Sequence, residues 1–342
     1  MKNEAILRVE EAIKATKNGE MIIVMDDEDR ENEGDLVLAG IFSTPEKINF
    51  LAQEARGLIC VSITKELANK LDLPPMVSQN SSNHETAFTI SIDAKEAKTG
   101  ISAYERDLTI QLMCKSGAAP SDFVRPGHIF PLIAKEGGVL ERSGHTEASV
   151  DLCRLAGLKP ISVICEIMRE DGQMPGRGDK FLIEFAKKHN LKTLYVSDLI
   201  EYRLQYENLI SKISCVDSSF LGACVKRLEF CDHLNRVHIV FAFGEARIPL
   251  VKFHIIKKDL ELLENEVLFN SLMESINLLK KNGGYLIFLS VSNNNDIKGL
   301  GIGAQILKDL GVNDFRLLSQ SKMQDSEYSA LKGFNLRIVE SV

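Results

Sequence analysis

The chain reads as a two-domain α/β protein. Short apolar runs alternate with amphipathic segments over the first 205 residues, and turn signals at Gly19, Thr44-Pro45, Gly57, Pro74-Pro75 and Gly100 punctuate them. The pattern weakens near residue 205 and then restarts, dividing the 342 residues into 1–205 and 206–342, both ordinary domain sizes. With 44% apolar and 26% charged residues, the composition is that of a globular protein.

Ala5 to Asn18 sets Ile6, Val9 and Ile13 along one helical face and stops at Gly19. Met21–Met25 and Leu36–Ala39 read as buried strands, with the acid-rich loop Asp26-Asp27-Glu28-Asp29-Arg30-Glu31-Asn32-Glu33-Gly34-Asp35 between them. Thr44 caps and Pro45 opens a helix that runs to about Gly57, before the strand Leu58–Ile63. Gln79–His84 is a polar loop, Ala87–Ile92 a strand, and Ser102–Lys115 a helix. Gly127–Gly144, rich in Gly and Pro, reads as a long functional segment rather than architecture. Glu147–Leu155 (helix), Ile161–Met168 (strand), Asp179–His189 (helix), Thr193–Val196 (strand) and a helix through Leu199–Arg203 complete the first domain. The second begins weakly, then shows strands over Arg236–Phe241 and Leu250–Ile256. Its strongest element is a helix over Glu261–Lys281, closed by Gly283-Gly284 and followed by the strand Tyr285–Val291. Gly299-Leu300-Gly301-Ile302-Gly303 reads as a glycine loop leading into a helix through Leu310, without the strand and downstream acid of a dinucleotide site.

A net charge of −7 argues against a nucleic-acid partner. Met1-Lys2-Asn3-Glu4 lacks the apolar core of a signal peptide, and no apolar run reaches the roughly 18 residues that span a bilayer. The expectation is a cytoplasmic protein with no membrane partner. Seven cysteines, none in a Cys-x-x-Cys pair, argue against structural zinc and read mostly as buried small hydrophobes. Cys60, at the end of a strand, has the better claim on a site.

The acid loop is either a solvated surface run or a site. Carboxylates held so close raise one another's pKa unless a cation or arginine neutralises them. Oxygen ligation suits magnesium or manganese, and an unligated acid could shuttle protons. Arg142-Ser143-Gly144-His145-Thr146 opens a helix, so free backbone N–H groups, an arginine and a hydroxyl form a candidate phosphate cradle. His145 could add an imidazole to a carboxylate-bound metal, for which ligand type alone leaves zinc open. His128 and Glu166 are further acid/base candidates, each with a plain structural alternative.

These residues carry a resemblance. Asp27-Glu28-Asp29-Arg30-Glu31-Asn32-Glu33-Gly34-Asp35, Arg125-Pro126-Gly127-His128-Ile129-Phe130-Pro131-Leu132, Gly144-His145-Thr146-Glu147-Ala148 and Glu166 occur in the order found in 3,4-dihydroxy-2-butanone 4-phosphate synthase, which the first 205 residues resemble. The resemblance implies a mixed-sheet α/β sandwich. It also implies a lyase of riboflavin biosynthesis that converts D-ribulose 5-phosphate to the four-carbon phosphate and formate with two Mg2+ or Mn2+ ions, and a homodimer with sites close to the subunit interface. By it Glu31 and His145 bind metal, Arg30 and Asp35 hold the sugar, Arg142, Ser143, Gly144, His145 and Thr146 hold its phosphate, and Glu31 and Glu166 also contact substrate. His128 and Glu166 are the catalytic groups, with Glu33, Asp35 and Cys60 in the same site. Glu105 stands where the family has Asp.

Residues 206–342 resemble a smaller α/β GTP cyclohydrolase II-like domain, most clearly in Gly303-Ala304-Gln305-Ile306-Leu307-Lys308-Asp309-Leu310-Gly311-Val312. That family's zinc cysteines are missing, since no cysteine follows Cys231. The expectation is a degenerate domain without zinc. The rival readings are a bifunctional enzyme that still opens GTP, and a non-catalytic phosphosugar-binding scaffold.

Overall fold

The computed structural model describes residues 3–28, 30–84, 86–290, 297–319, 334 and 336–342, with backbone alone at 297 and 298. Asp29 of the acid run and Val291 of the second-domain strand lie outside the described residues. The chain divides into two compact units, Met1–Tyr202 and Arg203–Val342.

Unit 1 runs α1 (Glu4–Lys17), β1 (Ile22–Met25), β2 (Gly34–Ala39), α2 (Pro45–Phe50), β3 (Cys60–Ile63), α3 (Lys65–Lys70), β4 (Ile92–Ala94), α4 (Ala103–Cys114), β5 (Phe123–Ile133), α5 (His145–Leu155), β6 (Ser162–Glu166), α6 (Lys180–Lys188), β7 (Lys192–Tyr195) and α7 (Val196–Tyr206), in which the unit boundary falls. The mixed sheet has the order β4-β5-β3-β6-β2-β1-β7. Because side chains alternate across a sheet, Ile23, Met25, Leu36, Leu38, Val61, Ile63, Val163 and Cys165 join one core with residues of α2, α4 and α6. The other face carries α1 and α5. Asp35, Cys60, Ile164 and Glu166 share that α5 face through the pairs Asp35↔Glu166 and Cys60↔Ile164. A mixed α/β sandwich results.

Several local expectations need correction. The Gly- and Pro-rich stretch after residue 127 is not all loop, because Phe123–Ile133 is an eleven-residue strand. It pairs with β3 on one side and with β4 on the other, where an irregularity between Ile92 and Asp93 admits Pro126 and Gly127. Gly127 lies so close to the Ile92 backbone that a Cβ there would overlap it. The expected strand over 87–92 makes only isolated bridges at Phe88 and Thr89, and the paired strand begins at Ile92. The helix from Pro45 finishes in a π-helical turn over Leu51–Ala55, and Arg56 ends it in the left-handed region at φ 70°. Helix α5 starts at His145, two residues before the apolar periodicity shows it.

Unit 2 contains β8 (Ile210–Phe220), β9 (Ala223–Asp232), β10 (Val237–Phe243), β11 (Leu250–Ile255), α8 (Asp259–Glu264), α9 (Glu266–Asn282), β12 (Gly284–Leu289), α10 (Ile297–Asp309), β13 (Asp314–Leu317) and β14 (Arg337–Ser341), with the sheet order β14-β13-β11-β12-β10-β9-β8. Its opening is a long hairpin, β8–β9. It escaped the sequence reading because edge strand β8 is largely exposed and lacks apolar alternation. The single long helix is two, broken at Asn265, whose side chain caps α9 by accepting from Leu268 N. The glycine run at 299–303 lies inside α10 rather than in a loop: a Cβ at Gly301 would crowd Leu204, and one at Gly303 would crowd Phe253. These glycines serve close packing. Four cysteines are buried as expected, but Cys215 and Cys224 are exposed and Cys231 half-buried.

Candidate active site

The turn between β1 and β2 is built on Asp26, which is fully buried. Its Oδ1 accepts from Glu33 N at 2.9 Å, and its Oδ2 accepts from Glu31 N at 3.1 Å and Arg30 Nη1 at 2.7 Å. Asn32 takes φ 56° at the tip, and Arg177 pairs with Asp27. Among its described residues the acid run is therefore a stapled loop in which Glu28 alone is exposed. Asp26 was not singled out from sequence, where nothing separates it from its acidic neighbours.

Arg30, Glu31, Glu33, Asp35, Cys60, Arg142, His145, Thr146 and Glu166 line one cavity of about 350 Å³, together with His84, Thr86, Phe88, Leu132 and Ile164. A larger cavity of about 770 Å³, lined by Lys65, Asp72 and Glu136 among others, takes in none of the expected site residues. Ser143 and Gly144 do not line the smaller cavity but flank it, Gly144 as the cap of α5. At Gly144 two guanidinium groups converge: a Cβ there would overlap Arg142 Nη1 and approach Arg30 Nη2 to 2.9 Å. Both guanidinium groups also pair with carboxylates, Arg30 with Asp26 and Glu31 and Arg142 with Glu147, beside the N-terminus of a helix, where anions are favoured. Arg142 donates to Glu147 Oε2 at 2.6 Å, to His84 O through Nε and Nη2 at 3.1 and 3.0 Å, and to Thr86 Oγ1 at 3.0 Å.

Burial would raise the Glu31 carboxyl, but His145 and Arg30 hold it down to about 2. Arg30 grips both its oxygens, at 2.6 and 3.1 Å. Burial lifts Glu33, helped by Glu31 and Glu166. Burial also lifts Asp35, helped by the Glu166, Glu33 and Glu31 carboxylates and opposed by His145. Burial works against the His145 imidazolium, yet Asp35 and Glu31 move its pKa upward. Cys60 is held as a thiol by burial and by Glu166 and Asp35. Glu166 Oε2 accepts from Leu58 N at 2.8 Å.

Asp35 Oδ1 and His145 Nε2 are buried without a hydrogen-bond partner, and His145 Nδ1 stands 3.5 Å from Glu31 and 3.8 Å from Asp35. Buried polar atoms left unpaired cost free energy unless a ligand satisfies them. Ligand atoms of Asp26, Glu31 and His145 lie within 4.8 Å of one another. Asp26 accepts three hydrogen bonds and Glu31 two from Arg30, which leaves His145 Nε2 and the adjacent Asp35 Oδ1 as the unpartnered atoms beside this group. Carboxylate oxygens with one imidazole fit a hard divalent cation.

His128 does not line this cavity within its own chain. Its side chain is 43% exposed, with Nδ1 on Asp93 Oδ2 at 2.8 Å. The sequence reading missed Asp93, which lies 35 residues away and meets His128 only through β4–β5 pairing.

Residues 10–202 match the family 3,4-dihydroxy-2-butanone 4-phosphate synthase, and residues 289–342 match GTP cyclohydrolase II. A 3,4-dihydroxy-2-butanone 4-phosphate synthase of Helicobacter hepaticus is 64% identical over 349 residues, covering 98% of each chain. Among solved structures, a two-domain 3,4-dihydroxy-2-butanone 4-phosphate synthase from A. baumannii superposes with TM-score 0.85 at 38% identity over 98% of this chain and 99% of the other. A 3,4-dihydroxy-2-butanone 4-phosphate synthase in complex with two magnesium ions reaches TM-score 0.55 at 42% identity, covering 58% of this chain and 97% of its own. The family match over residues 10–202 and 64% identity across nearly the whole length agree: the chain belongs to the 3,4-dihydroxy-2-butanone 4-phosphate synthase family, with a GTP cyclohydrolase II-like second unit.

Proposed function

We propose that the protein converts D-ribulose 5-phosphate to L-3,4-dihydroxy-2-butanone 4-phosphate and formate, with Glu31 and His145 as the protein ligands of two divalent ions, Mg2+ or Mn2+. The observation that carries this is the pair of unpartnered buried atoms, Asp35 Oδ1 and His145 Nε2, on two residues that line a cavity walled by carboxylates and two arginines. When bound, such ions supply positive charge that stabilises enediolate oxygens. Arg142, Thr146 and the N-terminus of α5, with Ser143 and Gly144, receive the phosphate. Arg30, Glu31, Asp35 and Glu166 orient the sugar hydroxyls. Enolisation, loss of a hydroxyl, skeletal rearrangement and expulsion of C4 as formate need several proton transfers, and Glu33, Asp35, Glu166 and His128 supply them. The upward shifts of Glu33 and Asp35 bring those carboxyls nearer the range where a proton can be both held and released.

His128 lies outside the cavity of its own chain, which supports a homodimer in which it serves the second copy's site. Formate release from ribulose 5-phosphate, with and without Mg2+, tests the activity, and metal-loaded protein that releases none refutes it. Mixing inactive His128→Ala and Glu31→Gln proteins should restore about a quarter of wild-type activity through mixed dimers with one complete site. No restoration would place His128 in cis or outside the chemistry.

Unit 2 is proposed to lack cyclohydrolase activity and to serve as a scaffold, because no cysteine follows Cys231 and the glycine run is helical. Turnover of GTP would restore the bifunctional reading. No helix among the described residues is long and apolar enough to cross a membrane.

A further inference from the structure

We infer that Asp93 is a positioning residue for the reaction, fixing the imidazole of His128 so that Nε2 is the nitrogen offered to substrate; this rests on the reading of His128 as an acid/base group. Asp93 is 6% exposed, and both its oxygens serve one residue. Oδ1 accepts from His128 N at 2.8 Å, and Oδ2 meets His128 Nδ1 at 2.8 Å. A carboxylate only accepts, so the proton of that second bond sits on Nδ1 and the lone pair of the neutral ring sits on Nε2. The two contacts also fix the ring's direction, since backbone and side chain of His128 are held by one rigid group.

The surroundings are built around this pair. Gly127 lets β5 approach β4 closely enough for His128 N to reach Asp93, because any Cβ there would strike the Ile92 backbone. Gly100, at φ 83°, closes over the pair from the other side: a Cβ there would overlap Asp93 Oδ2 and come within 2.6 Å of His128 Nδ1. That turn is held by Glu105, which accepts from Lys98 N, Thr99 N, Thr99 Oγ1, Gly100 N and Ser102 Oγ at 2.6 to 3.3 Å. Glu105 is thus the anchor of the wall, and its carboxylate preserves the acceptor that an Asp there would supply. A buried carboxylate costs free energy to desolvate, and a purely structural turn does not need one aimed at a half-exposed histidine. Aligning the tautomer of that histidine does need one.

Asp93→Asn keeps the size but leaves an amide that can present either a donor or an acceptor to Nδ1. In the full-length, magnesium-loaded protein it should lower kcat for formate release by about 10- to 100-fold while KM changes less than about twofold. The 15N chemical shifts of the His128 ring should move from the Nδ1–H form towards a mixture of tautomers. Wild-type kcat and an unchanged tautomer in Asp93→Asn would overturn the inference, as would a loss confined to KM. If Asp93→Asn fails to fold, Gly100→Ala presses on the same pair from outside and must lower kcat, or the inference fails. His128→Ala, measured alongside, separates the two readings. Full activity there removes His128 from the chemistry, whereas an inactive His128→Ala with an unimpaired Asp93→Asn removes only Asp93.

Discussion

Arg142 has two duties that pull in different directions. It was expected only to hold phosphate, but it also pairs with Glu147, whose side chain is 1% exposed and whose carboxyl burial lifts against the pull of Arg142. Removing it leaves that carboxyl without its cation and frees His84 and Thr86 from the turn that precedes α5. Arg142→Ala should therefore raise KM for ribulose 5-phosphate at least tenfold and also destabilise unit 1 by about 3 kcal/mol, since breaking a buried ion pair strands a charge. Thermal unfolding beside steady-state kinetics checks both; a KM effect at unchanged Tm would mean that Glu147 finds another donor. Asp26 likewise shows that an acid in a charge run can be a staple. Neither its complete burial nor its three donors can be read from a string of acids.

Helix α5 shows how an element makes a site. Its first residues, His145 and Thr146, line the cavity, where a helix leaves its first N–H groups without intrahelical partners, and Gly144 at its cap leaves room for two guanidinium groups. The backbone of Gly144, at φ −109°, suits any residue, so the constraint is space alone. Gly144→Ala should push the Arg142 and Arg30 tips apart, raising KM by about tenfold with a smaller loss of Tm than Arg142→Ala, because flexible side-chain ends yield more cheaply than backbone. Equal losses of Tm in the two variants would show that Arg142 has left Glu147 altogether. The strands contribute through their register. Asp35↔Glu166 and Cys60↔Ile164 set four site-facing residues on one face, whereas a shift of one residue would send them into the core beneath.

At the scale of the molecule, every cavity residue belongs to unit 1. The magnesium-bound relative covers 97% of its own length with only 58% of this chain, so a synthase of that family can be built from one unit. A protein ending at Tyr206, where α7 closes, should release formate within about threefold of the full chain per site if it remains soluble, because packing of unit 1 is internal. Sedimentation of the same protein reads whether unit 2 affects assembly. A fold-intact, dimeric truncation without activity would assign unit 2 a part in catalysis.

The fold class and the chemical inventory were legible because they are written in local signals: apolar runs between glycines and prolines, a capped Pro45, and acids, arginines and histidines in family order. The long strand through Pro126 and Gly127 was not, since its pairing depends on two neighbours that sequence periodicity cannot see. The exposed β8–β9 hairpin was missed for the opposite reason, having little burial to impose a pattern. In the site, sequence supplied the residue types and resemblance their roles, while the tertiary structure alone decided which of them meet. It set Arg30, Glu31, Asp35, His145 and Glu166 around one cavity, kept His128 out of it, and joined His128 to Asp93. Side-chain chemistry is local, but distances between residues far apart in the chain are decided by strand register and by helix packing against the sheet.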